Sequence, residues 1–225
     1  MLNLCKYFGN YFGIQSFRFI FVFILEKMKD KIIHKATELF FKLGFKSVTM
    51  DDIANEMCIS KKTIYKFFAN KELLIAEGTN LLHNKIHNGI EEIVVMNLNA
   101  IEENFVIRKM FAEMFKIAET SPLFQLKKHY PEIYTTVIER EIEECSNCFR
   151  QNINKGIQQN FYRKDINIEN YIKFYYTILI NVNETTVSEK ETQKLELEAL
   201  EYHTRAMATS KGIEELEKQI LNYIK

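Results

Sequence analysis

Residues 47–68 read Ser47-Val48-Thr49-Met50-Asp51-Asp52-Ile53-Ala54-Asn55-Glu56-Met57-Cys58-Ile59-Ser60-Lys61-Lys62-Thr63-Ile64-Tyr65-Lys66-Phe67-Phe68, and this stretch predicts two short helices joined by a tight turn. Thr49 is placed to cap the first helix, and Asp52, three residues on, can return the reciprocal bond of a capping box while its charge complements the helix dipole. Ile53, Ala54 and Met57 fall on one face, where the small Ala54 lets a crossing helix come close. Ser60 is placed to cap the second helix. Its Ile64 and Phe68 sit four residues apart and must point inward, which leaves Lys61, Lys62, Thr63, Tyr65 and Lys66 outside.

That layout is a helix-turn-helix, and it points to DNA. A helix fits the major groove, where hydroxyl and ammonium donors near its N-terminus reach base edges while flanking Lys and Tyr side chains grip phosphates. The helix N-termini at Thr49 and Ser60 add backbone N–H groups suited to phosphate oxygens. The plainer alternative is a lysine-bearing helix that faces water, because exposed basic residues become evidence for DNA only once the fold sets them at a groove.

From Lys29 the run KDKIIHKATELFFKLGFKSVTMDDIANEMCISKKTIYKFFANKELL resembles the DNA-binding domain of the TetR-type transcriptional regulators. The resemblance lies in an apolar first helix ending in Leu43-Gly44-Phe45, Thr49 with Asp52-Ile53-Ala54, Ser60 ahead of Thr63-Ile64-Tyr65, Phe68, and Asn70-Lys71-Glu72-Leu73. It implies that Lys61, Lys62 and Thr63 face base edges and that Thr49, Ser60, Tyr65 and Lys71 hold phosphates, with Lys66 on the same exposed side. Phe67 departs from the family, which often carries Tyr or His there, and the departure implies one polar backbone contact fewer.

The rest of the 225-residue chain is read as helical throughout. The whole chain is 47% hydrophobic with only 2 Pro and 7 Gly, and its apolar residues recur at helical spacing with no strand alternation to compete. The expected architecture is all-α: a three-helix DNA-binding domain over 28–74, then a helical regulatory and dimerisation domain over 75–225. The formal net charge of zero conceals an asymmetry, since residues 28–71 hold nine Lys against five acidic residues, whereas residues 184–201 hold six Glu against two Lys. The four Cys, at 5, 58, 145 and 148, make no disulfide framework, and a reducing cytoplasm is expected.

Residues 1–27 are aromatic-rich, and their one sustained apolar run, Phe19 to Leu25, is too short to span a bilayer. No small-residue cleavage site follows. Translation is expected to start at Met28, where the resemblance begins, and no stable membrane association is expected; an amphipathic, membrane-touching extension is the alternative.

Asn70 is placed to cap a linking helix through Ile75, Leu81, Leu82 and Ile86. A helix over 101–119 carries Ile107, Met110, Phe111, Met114, Phe115 and Ala118 on one stripe and is expected to end at Ser121-Pro122. Another should run from Pro131 to Gln159 and close at Asn160, a residue type tolerated in the left-handed position. Residues 155–167 and 202–212 are similar to helix junctions in the second domain of TetR-like proteins, with Asn160 replacing the more usual Gly.

Other chemistry finds little footing in the sequence. His83 and His87 have the spacing at which two imidazoles meet one metal ion, but no adjoining third ligand is evident, so surface or interface histidines are preferred and no metal site is assigned. Cys145 and Cys148 form a CxxC within a helical run with no second pair, and are read as small apolar residues. No phosphate-cradling glycine loop and no nucleophile elbow occur, so neither catalytic residues nor a cofactor are expected.

The resemblance implies a homodimeric regulator, a repressor, that binds a palindromic double-stranded operator and responds to a small apolar or amphipathic effector. Candidate pocket residues are Phe105, Met110, Phe111, Met114, Phe115, Tyr171 and Tyr175, with Phe174 and Tyr176 beside them, although most such stripes serve a core. Candidate dimer residues are Leu197, Leu200 and Met207, in the apolar segments Tyr171–Val182 and Leu195–Met207. An architectural or division-control DNA-binding protein without an effector, and a metal-responsive sensor, are the alternative readings.

Overall fold

Side-chain caps set where most of these helices begin. In the capping box at Thr49, its N–H and hydroxyl donate to Asp52 Oδ2 at 2.8 and 2.7 Å, and the Asp52 N–H donates back to Thr49 Oγ1 at 3.2 Å. Ser60 Oγ accepts from the Thr63 N–H at 3.1 Å, Asn70 Oδ1 from Leu73 at 2.9 Å, and Asn167 Oδ1 from Asn170 at 3.0 Å. Each satisfies one of the N–H groups that a helix start leaves without a partner.

The computed structural model describes residues 26–224, so the expectations for residues 1–25, the alternative start and Cys5 among them, lie outside the described residues. Helix α1 covers 26–43. It is followed by α2 (Met50–Glu56), α3 (Lys61–Tyr65), α4 (Lys71–Val94), α5 (Ala100–Phe115), α6 (Pro122–His129), α7 (Pro131–Gln158), α8 (Ile168–Thr185), α9 (Glu189–Met207) and α10 (Ser210–Ile224). Among the described residues the fold is all-α, and extended pairing is confined to the isolated bridges Thr120 with Ser188 and Tyr162 with Ala208.

Two apolar cores organise the helices. The first gathers Ile32, Ala36, Phe40 and Phe45 from α1 and its turn, Ile53 and Ala54 from α2, Ile64 and Phe68 around α3, and Leu74 and Ile75 from α4. Leu126 of α6 and Tyr134 of α7 enter the same core, so the head is packed onto the body as well as joined to it by α4. The second core unites Ile101 and Phe105 of α5, Ile153 of α7, Ile172 and Tyr175 of α8, Leu200 and Met207 of α9 and Leu216 of α10.

The joint between head and body is polar at its centre. Gln125 of α6 accepts the Phe45 N–H at 2.8 Å through Oε1, and the Tyr130 hydroxyl donates to the Phe45 carbonyl at 3.3 Å. Gly44, in the turn between α1 and α2, has φ +92°, and a Cβ there would lie 2.8 Å from Gln125 Oε1; only glycine meets both demands cheaply. At the far end of the body Gly156 lets the fully buried Tyr162 ring lie directly on α7.

The expected stop at Asn160 is found two residues past the end of α7, with Asn160 at φ 61°. The expected end of α5 at Ser121-Pro122 is corrected. The helix closes at Phe115, and Pro122 opens α6 instead, because proline lacks the N–H that the first turn of a helix does not use.

Candidate nucleic-acid interface and effector cavity

The turn between α2 and α3 is tightened by bonds from the Cys58 and Ile59 N–H groups to the Asn55 and Ala54 carbonyls, both at 3.0 Å. Cys58 takes φ 53° to make the turn, the left-handed conformation that glycine adopts most easily. Ile64 and Phe68 are buried at 0% and 2%, while Tyr65 stands 44% exposed. Lys61, Lys62 and Lys66 are exposed, as are Thr49 and Ser60.

Of the predicted DNA-contacting residues, Thr63 and Lys71 are half-buried and the others exposed, and they differ in what they have free to offer. Lys62 and Lys66 have no protein partner among the described residues. Lys61 is held 2.7 Å from Asp51, which raises its pKa. The Thr63 and Ser60 hydroxyls bond each other at 2.8 Å, and Thr49 is occupied with Asp52, whose pKa is lowered by the Thr49 backbone N–H and hydroxyl. Lys71 differs most from expectation. Its ammonium lies over the rings of Phe40 and Tyr130, both 5.8 Å away, and donates to the Lys46 carbonyl at 3.3 Å. Burial lowers its pKa, so it belongs to the head–body joint at least as much as to a phosphate-gripping surface.

Within the body, helices α4 to α9 line a cavity of about 420 Å³ that is partly open to solvent. Its apolar wall includes Ile90, Ile107, Phe111, Leu123, Ile138, Phe149, Leu179 and Ile180. Of the predicted pocket residues, Phe111 and Tyr175 line it, and Tyr176 does too. The others are placed elsewhere. Phe105 is core against Tyr223, Met110 lies on Gly89, and Phe115 stacks on Phe111 and meets Phe41 edge-on. Tyr171 bonds the Ala206 carbonyl at 3.3 Å, and Met114 is not among the lining residues. The stripe on α5 was real, but its Met110 and Phe115 edge faces α4 and the head rather than the cavity.

One side of this cavity is polar, which the apolar stripe of α5 alone does not reveal. Arg108 is paired with Glu196, which also accepts from Asn183 at 2.7 Å. Glu103 accepts from Lys155 and Asn152, both at 2.7 Å, and Asn104 donates to Asn152 at 2.9 Å. Among the described residues Arg108 Nε and the Tyr176 hydroxyl are buried without a hydrogen-bond partner, an arrangement that is costly unless something satisfies it. The signal was available in the sequence, since Asn104, Arg108 and Phe111 recur at i, i+4 and i+7 on one face of α5.

The dimer expectation needs correction at two of its three residues. Leu200 and Met207 are 2% and 0% exposed within the single chain, where they build its own second core and cannot meet a partner. Leu197 is half-buried against the same core. The large apolar side chains that α8 and α9 expose are Phe174 at 58% and Tyr202 at 67%. Cys145 and Cys148 are half-buried thiols whose pKa values burial raises, that of Cys145 to about 12, which leaves them protonated and poor nucleophiles at neutral pH.

Residues 32–77 match the family model described as bacterial regulatory proteins, tetR family. IcaR of Staphylococcus aureus, named as the HTH-type negative transcriptional regulator of the biofilm operon icaADBC, is 27% identical over 124 residues, which is 55% of this chain and 61% of the relative. Its Staphylococcus epidermidis counterpart is 27% identical over 107 residues, 48% of this chain and 51% of the relative. The chain thus spans less than two thirds of the curated relatives it matches.

Among solved structures, a transcriptional regulator from Cytophaga hutchinsonii shares the fold with a TM-score of 0.65 at 17% identity, covering 80% of this chain and 98% of that one. CprB, a TetR family protein of S. coelicolor, gives 0.61 at 15%, covering 89% and 98%. FadR of Thermus thermophilus, a repressor crystallised with lauroyl-CoA, gives 0.51 at 17%, covering 79% and 91%. The head over residues 32–77 is thus similar to that of the tetR family of bacterial regulatory proteins, and the whole described chain shares its all-helical fold with solved TetR-family structures.

Proposed function

We propose that the chain is a ligand-responsive repressor that binds a two-fold symmetric operator as a homodimer. The observation that carries this reading is the α3 face. Exposed Lys62, Tyr65 and Lys66 project beside the capped N-termini at Thr49 and Ser60, which is the arrangement of donors that a major groove and its flanking phosphates accept. IcaR is a negative regulator by name, and that supports repression. One helix-turn-helix reads few base pairs, so two heads must sit about 34–36 Å apart on successive major grooves. The exposed aromatic residues Phe174 and Tyr202 are the apolar centre proposed for the seam.

The effector proposed for the cavity is amphipathic. An apolar body suits the Ile, Leu and Phe wall, and a hydrogen-bond acceptor at one end suits Arg108 Nε and the Tyr176 hydroxyl. FadR of Thermus thermophilus, with its bound lauroyl-CoA, offers a precedent for such a molecule in this fold. The effector acts by preferring the dimer geometry in which the heads no longer match the operator, and it shifts the equilibrium only by its difference in affinity between the two states.

Selection of sites from a random DNA pool by the purified chain, followed by titration across salt, tests the reading. The expected result is one enriched near-palindrome bound with a steep negative dependence on salt. No enrichment, or binding of a single half-site by a monomer, would refute it.

A further inference from the structure

The two histidines that lacked a third ligand in the sequence acquire one from a helix 58 residues away. His83 and His87 of α4 face Glu141, Glu144 and Cys145 of α7. His83 Nε2 lies 3.1 Å from Glu144 Oε2, and His87 Nε2 lies 3.5 Å from the same oxygen. The ligand atoms of His83, His87 and Glu144 all fall within 4.8 Å of one another. With zinc bonds of about 2.0–2.1 Å to nitrogen and oxygen, the edge of a tetrahedral site is about 3.3 Å, so both histidine–carboxylate separations are near those around one ion.

The surroundings match as well. Glu141 Oε1 lies 2.6 Å from His83 Nδ1, and a carboxylate on that nitrogen fixes the proton there and turns the Nε2 lone pair toward the metal. The Cys145 thiol stands 4.0 Å from His87 Nε2 and 3.5 Å from Glu141 Oε2, where it can offer sulfur to the fourth position. His83 is 8% exposed, a low exposure for a polar ring unless it is fully engaged. We infer that His83, His87 and Glu144, oriented by Glu141, form a binding site for one divalent transition-metal ion, of which zinc best suits the mixed nitrogen, oxygen and nearby sulfur donors.

The site clamps α4 to α7. Helix α4 starts directly after the recognition helix, and Glu141 and Cys145 also line the cavity, so the ion would fasten the linking helix to the cavity wall. This assignment does not depend on the operator reading, and its test reads the metal directly.

The full chain, stripped with EDTA, is titrated with zinc against a chromophoric chelator and with cobalt(II) in the visible region. Expected are one zinc per chain, tetrahedral cobalt bands, and a rise in the unfolding temperature with zinc. Glu141→Gln should weaken zinc by about 10–100-fold, and His87→Gln by more. The His83→Gln/His87→Gln double variant, with helicity checked by circular dichroism, sets the background. Zinc that the unaltered chain cannot hold against the chelator, or an octahedral cobalt spectrum in the unaltered chain, would leave only histidine–carboxylate ion pairs and overturn the site; the unaltered chain decides this even if a variant misfolds.

Discussion

Helix α9 buries two titratable groups whose responses to acid oppose each other. Glu189 is 4% exposed, and burial raises its carboxyl pKa from 4.5 to about 7; His203 is 5% exposed, and burial lowers its imidazole from 6.5 to about 4. For Glu189 the folded pKa exceeds the unfolded one, so its contribution is present below 4.5 and lost as pH rises through 7. For His203 the folded value is the lower one, so its contribution is present above 6.5 and lost as pH falls toward 4. By linkage, going from pH 8 to pH 5 makes Glu189 favour folding by about 2.5 kcal/mol and His203 oppose it by about 2 kcal/mol. The two nearly cancel.

Glu189→Gln removes one side of that balance without removing the bond to Gln193, which accepts or donates to an amide equally well. Urea unfolding followed by far-UV circular dichroism at pH 5, 6, 7 and 8, at fixed ionic strength, measures the outcome. The variant should lose about 2.5 kcal/mol relative to the unaltered chain over that range, and His203→Phe should gain about 2 kcal/mol. Curves for Glu189→Gln and the unaltered chain that stay parallel within about 0.5 kcal/mol would refute the reasoning, whatever other groups titrate, because those are common to both.

Lys62→Ala should lower the salt slope of operator binding by about one if Lys62 holds a phosphate, or alter the selected sequence at about 1–3 kcal/mol if it reads a base edge; a mobility-shift titration that changes neither removes it from the interface. Leu200→Ala should cost about 2–5 kcal/mol of folding stability in denaturant titration, whereas Phe174→Glu should leave stability nearly unchanged and yield monomers by light scattering. Gly44→Ala should destabilise by about 1–3 kcal/mol through its positive φ and the contact with Gln125; an unaltered unfolding midpoint would show that the joint yields easily.

What the sequence disclosed was local. Thr49, Ser60, Asn70 and Asn160 act on backbone within a few residues of themselves, so their roles at helix ends were legible from spacing. Apart from the end of α5, the misreadings involved partners distant in the chain. An apolar stripe such as Leu197, Leu200 and Met207 says that a face is covered, but not whether the cover comes from the same chain. The pairing of Glu103 with Lys155 and of Arg108 with Glu196 is not legible in the sequence, because the partners sit on different helices. His83 and His87 seemed to lack a third donor for the same reason, since Glu141 and Glu144 reach them only when α7 packs beside α4.

The eight-residue α6 has Leu123 in the cavity wall and Gln125 on the Phe45 amide, two residues apart on a single rigid turn. A helix this short cannot bend between those points, so a molecule that displaces Leu123 must carry Gln125 with it. The head would then follow or lose the Gln125 bond to the Phe45 N–H, one of the side-chain bonds that hold the turn after α1. If the proposed effector fills the body, its occupancy would be converted into torque on the head by a lever whose two arms lie on the same helical turn, and a longer, more compliant connection would dissipate that motion before it arrived.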